Sequence, residues 1–145
     1  MYPSDEFEFF FEKEWSDGLP VIPPTEEKIS HMLSLVEYTP DEIIGEFPPA
    51  FSPVSVYLIA VHAVMAGCKP EYMGLLLASV RAILKDKFNL NGLQATLSPA
   101  APFLLANGPY AKEIGLNGGL GCFGPGFRAN ATIGRAIRLM MMNLG

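Results

Sequence analysis

The side chains best placed to do chemistry in this 145-residue chain lie between positions 115 and 139. There Gly118-Gly119, Gly121 and Gly124-Pro125-Gly126 lead directly into a segment carrying Arg128, Asn130, Thr132, Arg135 and Arg138. Glycine lets backbone N–H groups approach a ligand, and a helix start carries partial positive charge, so a loop-to-helix junction of this kind can hold an anion. Gly124, Gly126, Arg128, Asn130 and Thr132 form the candidate binding set, and Asn107, in Asn107-Gly108-Pro109, could present an amide to a substrate, though a β-turn explains it equally well. The competing reading is close packing of the loop with no ligand at all. The spacing does not match G-x-x-x-x-G-K-[ST], and the dinucleotide fingerprint lacks its preceding strand and downstream acid.

Nucleophiles are few. Cys68 stands in Gly67-Cys68-Lys69-Pro70, just ahead of a helix start and beside a cation, a setting that lowers a thiol pKa. The alternative is a small buried residue at a helix corner. Cys122 lies in the glycine loop, where the same two readings apply. Asp17, in Trp15-Ser16-Asp17-Gly18, is a candidate general base or simply a turn former. His31 and His62 are too far apart to form a metal-ligand spacing, so no metal site and no cofactor is assigned.

These groups need elements to position them. Residues 1–14 alternate acids with Phe7, Phe9, Phe10 and Phe11, an aromatic arm that must dock on a surface, Trp15 to Pro20 make a turn, and Val21 to Pro24 make an extended connector. Thr25 caps a helix over 26–36 with Ile29, Met32, Leu33 and Val36 on its buried stripe. Thr39-Pro40-Asp41-Glu42 reads as a second start, of a short helix that ends by Gly45 and Phe47-Pro48-Pro49. Pro53 is read as opening a third helix to Ala66, stopped by Gly67, and Pro70 a fourth to Leu84; both are apolar nearly all round and therefore central. Residues 93–97 and 102–106 read as short strands, 110–114 as a short helix, and 127–143 as the last helix, with Arg128, Thr132, Arg135 and Arg138 on one side of it. The fold class expected is α+β: a mostly helical single domain over 25–145 with a few short strands, preceded by the arm and connector at 1–24.

Composition narrows the function. Half of the residues, 50%, are hydrophobic and only 17% are charged, which leaves little to cover an outer surface and predicts a homo-oligomer. The net charge of −5 argues against nucleic acid, and no apolar run is long enough to span a membrane. Two cysteines without a secretory leader fit a reducing, cytoplasmic setting. The apolar ending, Met140-Met141-Met142-Asn143-Leu144-Gly145, reads as a frame cut short or an ending that needs a partner surface.

Several phrases resemble an uncharacterised bacterial family associated with UGSC-type (seleno)proteins, as a neighbour or companion domain. They are the stretch from Trp15 to Thr25, Ala63-Val-Met-Ala-Gly-Cys-Lys-Pro-Glu-Tyr72, Asn89 through Thr96, Asn107-Gly-Pro109, and Gly124 through Arg135. The resemblance runs over nearly the whole chain from Trp15 and implies a longer protein with thiol or redox chemistry nearby. The U-G-S-C motif itself is absent, Phe127 stands where the family has Asn, and Cys122 stands where it has another residue, while Cys68 fits the pattern. The expectation is a small-molecule enzyme, or a domain of one, binding a small anionic molecule at the glycine loop. The rival is a non-catalytic oligomeric scaffold.

Overall fold

A computed structural model describes residues 6–98 and 100–145. The first five residues of the aromatic arm and Pro99 lie outside the described residues. Seven α-helices and one two-stranded antiparallel sheet are found among them, an α+β architecture. A connected core runs from Phe10 to Met141, so the arm and connector belong to the same hydrophobic unit as the rest.

The arm forms helix α1 (Glu6–Glu12), which buries Phe10 and sets the Phe9 and Phe10 rings 6.1 and 6.2 Å from that of Trp15. Helix α2 (Glu26–Leu33) starts as expected, with Thr25 Oγ1 accepting from the Lys28 N–H. It stops three residues early because Ser34 turns back, donating to the His31 carbonyl from both its backbone and its hydroxyl.

The start signal at Thr39 is not a helix. Thr39 to Glu42 closes a turn, and β1 (Ile43–Phe47) then pairs antiparallel with β2 (Ser52–Ser55), Phe47 facing Ser52 and Ile43 facing Ser55. Branched Ile43 and Ile44 suit a strand, and Gly45 with Pro48-Pro49 leaves a helix too short to propagate. A Cβ built at Gly45 would lie 2.7 Å from Leu84 Cδ1, so this strand position admits only glycine without displacing Leu84.

Pro53 likewise lies in β2 rather than at a helix start. Ser55 is the cap, its Oγ accepting from the Leu58 N–H at 3.2 Å, and α3 runs Val56–Ala66. Val56, Ile59, Ala60 and Ala63 are wholly buried, and α3 packs on α2, on α4 (Met73–Ile83) and above all on α7 (Arg128–Leu144). Gly67 ends α3 with φ 86°, and the Cys68 N–H returns to the Ala63 carbonyl, so the chain reverses tightly into α4 through the short turn Pro70–Tyr72.

Neither strand expected further on is present. Residues 93–97 fall mostly in α5 (Leu90–Ala95), whose cap is Asn89: its Oδ1 accepts from the Gly92 N–H at 3.2 Å. Residues 102–106 are irregular; among the described residues no strand pairs with them. Their exposure still alternates, with Leu104 half-buried between outward-facing Phe103 and Leu105. Helix α6 (Pro109–Glu113) and α7 complete the chain as anticipated.

Candidate functional site

Helix α7 is the wall on which the sequence-predicted site residues hang, and its two faces divide them. Successive residues turn by about 100°, so Arg128 and Thr132 share one face while Asn130 points the other way.

On the first face the polar groups are engaged by the protein itself. Arg128 Nε donates to the Gly67 carbonyl at 2.9 Å, capping the C-terminal end of α3. Thr132 Oγ1 donates to the Arg128 carbonyl at 2.8 Å. Cys68 is buried beside them, and burial pushes its thiol up to about 11; the Thr132 hydroxyl and the Arg128 charge pull it down, but less strongly. At neutral pH Cys68 is therefore a protonated core residue. Asp17 is held by Arg135 in a two-point fork, and that pairing lowers its carboxyl below the ordinary value. An Asp kept ionised by a guanidinium is a weak base, better suited to anchoring the connector than to proton transfer.

The second face borders a cavity of about 710 Å³ between α6, α7, the glycine loop and the irregular segment 102–106. Its apolar wall is Leu75, Phe103, Leu104, Leu116, Ala129 and Ile133, and its polar groups are Asn107, Lys112, Asn117, Asn130 and Cys122. Two smaller cavities, of about 410 and 250 Å³, lie elsewhere. Asn130 fastens the loop over this space: its Oδ1 accepts from the Asn117 N–H at 2.9 Å, and its Nδ2 donates to the carbonyls of Asn117 and Cys122 at 3.0 and 3.1 Å. Asn117 in turn accepts from the Gly119 N–H and donates to the Leu120 carbonyl. The loop is thus a self-braced arch, with Gly121 and Gly126 at φ 80° and 105° where only glycine turns without strain.

The predicted set is only partly brought together. Asn107 and Asn130 line the cavity; Gly124 and Gly126 lie on the exposed outer part of the arch and do not; Arg128, Thr132, Cys68 and Asp17 belong to the opposite face of α7. The sequence reading missed Lys112, Asn117 and the apolar wall. Lys112 follows Asn107 by five residues across a Gly-Pro helix start, which alone could have pointed to it.

Among the described residues no cluster of three His, Cys, Asp or Glu could hold a metal ion, and no helix is long and apolar enough to cross a membrane. Comparison with known protein families, curated proteins and solved structures finds no match to the chain.

Proposed function

We propose that this chain binds a small anionic organic molecule in the cavity beneath the glycine loop, as the binding domain of an enzyme or as a carrier of that ligand. One observation carries the reading: a space of about 710 Å³, the size of an ordinary ligand pocket, has Lys112 among the residues that line it and no Asp or Glu. A cation on a mostly apolar wall favours a negatively charged guest and disfavours a positive one. The reading keeps the loop and α7 of the sequence-based expectation but moves the guest to the Asn130 face, because Arg128 is committed to Gly67. The resemblance to the UGSC-associated family adds no reaction here, since the U-G-S-C motif is absent and Cys68 is buried and protonated.

Cys122 supplies the test, because its half-exposed thiol lies on the cavity wall. Alkylation of Cys122 by N-ethylmaleimide should slow at least fivefold when the cavity is filled by 8-anilinonaphthalene-1-sulfonate, an organic anion. No protection, with no fluorescence gain from the dye, overturns the reading.

A second reading, the oligomeric scaffold, is favoured by the exposure of the cavity's outer rim, where Phe103, Leu105 and Phe123 belong to the same lining. Phe103 and Phe123 lie 6.0 Å apart, 68% and 86% exposed, with Leu105 and Leu120 as open beside them, an apolar patch on the unpaired segment and the loop. Sedimentation of the protein against Phe103→Ser/Phe123→Ser separates the two: a dimer that this pair dissolves supports the scaffold, and a monomer in both cases removes it.

A further inference from the structure

We propose that the guest is an amphipathic monoanion, a carboxylic acid with an apolar body of roughly eight to twelve carbons. This inference rests on the reading of the cavity given above and narrows it to a chemical class.

Few polar side chains on the lining are free. Asn130 spends both amide atoms on the loop, and the Asn117 side chain spends both of its own on Gly119 and Leu120. The side chains of Lys112 and Asn107 make no hydrogen bond or ion pair among the described residues, and both residues stand at the α6 end of the cavity. A sugar or nucleotide would bury many hydroxyls and ring nitrogens against a wall with few donors left to satisfy them, a large desolvation cost. A guest whose polar atoms gather at one end avoids that cost.

The charge count sets the valence. Lys112 is the single ionised side chain on the lining. Of the four arginines, three are engaged elsewhere, Arg128 on the Gly67 carbonyl, Arg135 on Asp17, and Arg81 on Glu42 and Tyr38, and the fourth, Arg138, is not part of the cavity lining. A phosphate or dicarboxylate would bring two charges to one ammonium, and the second would lie uncompensated against Leu104, Leu116 and Ile133. A monocarboxylate with its head at Lys112 and Asn107 and its body on that apolar wall matches both halves of the cavity.

The experiment is calorimetric titration of the whole chain with hexanoate, octanoate and decanoate, and with 1-octanol, octyltrimethylammonium, succinate and inorganic phosphate. Affinity should rise about fourfold per added methylene along the carboxylate series. Octanoate should bind at least tenfold more tightly than 1-octanol, and Lys112→Gln, at an exposed position, should erase that difference. Gly134→Leu should abolish octanoate binding, because Gly134 lies on the cavity wall and a Cβ there meets nothing within 4 Å, so the side chain fills the space without displacing the core. If 1-octanol equals octanoate, or succinate or phosphate exceeds it, the monoanion class is overturned while the cavity remains a binding site, as shown by Cys122 protection. If octanoate binds Gly134→Leu unchanged, or if no probe binds and Cys122 stays reactive throughout, the class and the site fall together.

Discussion

Arg135 reaches back 118 positions to close a fork on Asp17, its Nε donating to Oδ2 at 2.9 Å and its Nη2 to Oδ1 at 2.8 Å. The same Nη2 donates to the carbonyls of Leu19 and Pro20 at 3.1 and 2.9 Å. One side chain on α7 thereby satisfies four acceptor atoms of the 16–20 turn and holds that turn against the last helix. Both side chains are mostly buried, so truncation strands the partner.

Arg135→Met should therefore cost about 2 kcal/mol at neutral pH. The pairing holds the Asp17 carboxyl below its ordinary value of 3.8, so the stabilisation it brings is complete above that pH and is lost as pH falls through the lowered folded value. Urea midpoints of parent and Arg135→Met should differ by a constant amount from pH 5 to 8, and the gap should narrow as pH falls below 3.8 through the lowered folded value, down to the part carried by the Leu19 and Pro20 carbonyls. A gap undiminished at pH 2 would show that the arginine acts through its carbonyl bonds alone.

His62 sets a second, separate pH window. It is buried in α3 and donates from Nδ1 to the Leu58 carbonyl at 2.7 Å, which leaves Nε2 as acceptor for Asn143 Nδ2 at 3.3 Å. Asn143 Nδ2 also donates to the Trp15 carbonyl, so the neutral imidazole helps tie α7 to the arm. Burial lowers the His62 pKa below 6.5; the unfolded chain takes up a proton that the folded one resists. Stability should hold above pH 6.5 and fall, by up to about 1.4 kcal/mol per pH unit, as pH drops toward the lowered folded value. His62→Gln should lose that slope, read as urea midpoints at pH 7.5 and 5.5.

The central helices were legible because their signals are local and agree with burial: Thr25 and Gly67 cap what they were read to cap, and α3 is apolar on all sides because other elements surround it. The sheet was not, since a threonine-proline start signal and β-branched Ile43-Ile44 compete within six residues, and the pairing with Ser52–Ser55 that decides between them is a tertiary contact. Residues 102–106 show the converse: their alternation is that of a strand, but pairing needs a neighbour that sequence pattern cannot supply. For the site, the loop and α7 are legible in the sequence, but Arg128 and Asn130, two positions apart in the chain, lie on opposite faces of the helix. That Arg128 turns to Gly67 depends on where α3 ends.

Two glycines should respond to the same substitution with opposite signs. Gly67 holds φ 86° at the end of α3, a conformation that costs an L-residue about 1 kcal/mol or more, and a Cβ there only touches Ile22 and Thr132 at ordinary distances. Gly134 lies inside α7 with open space around its Cβ, so alanine gains helix propensity without a clash. Gly67→Ala should destabilise by about 1 kcal/mol and Gly134→Ala should stabilise by about 0.5–1 kcal/mol, both read from denaturant midpoints at unchanged slope.

The two cysteines should part company in any thiol titration. Cys68 is 6% exposed with its thiol pushed up to about 11, whereas Cys122 is half-exposed on the cavity wall. Thiolate is the reactive form, so at pH 7.5 iodoacetamide should modify Cys122 at the rate of an accessible thiol and leave Cys68 untouched until the chain unfolds. Because the folded value of Cys68 exceeds its ordinary 9.0, the unfolded state deprotonates first and stability should decline as pH climbs from 9 to about 11. Cys68→Ala removes the ionisable group and should flatten that alkaline decline, at the cost of a small cavity near Thr132. Mass spectrometry of the alkylated protein distinguishes the sites: rapid labelling of Cys68 in the folded chain would mean that the α3–α4 corner opens, and would return this thiol to consideration as a nucleophile.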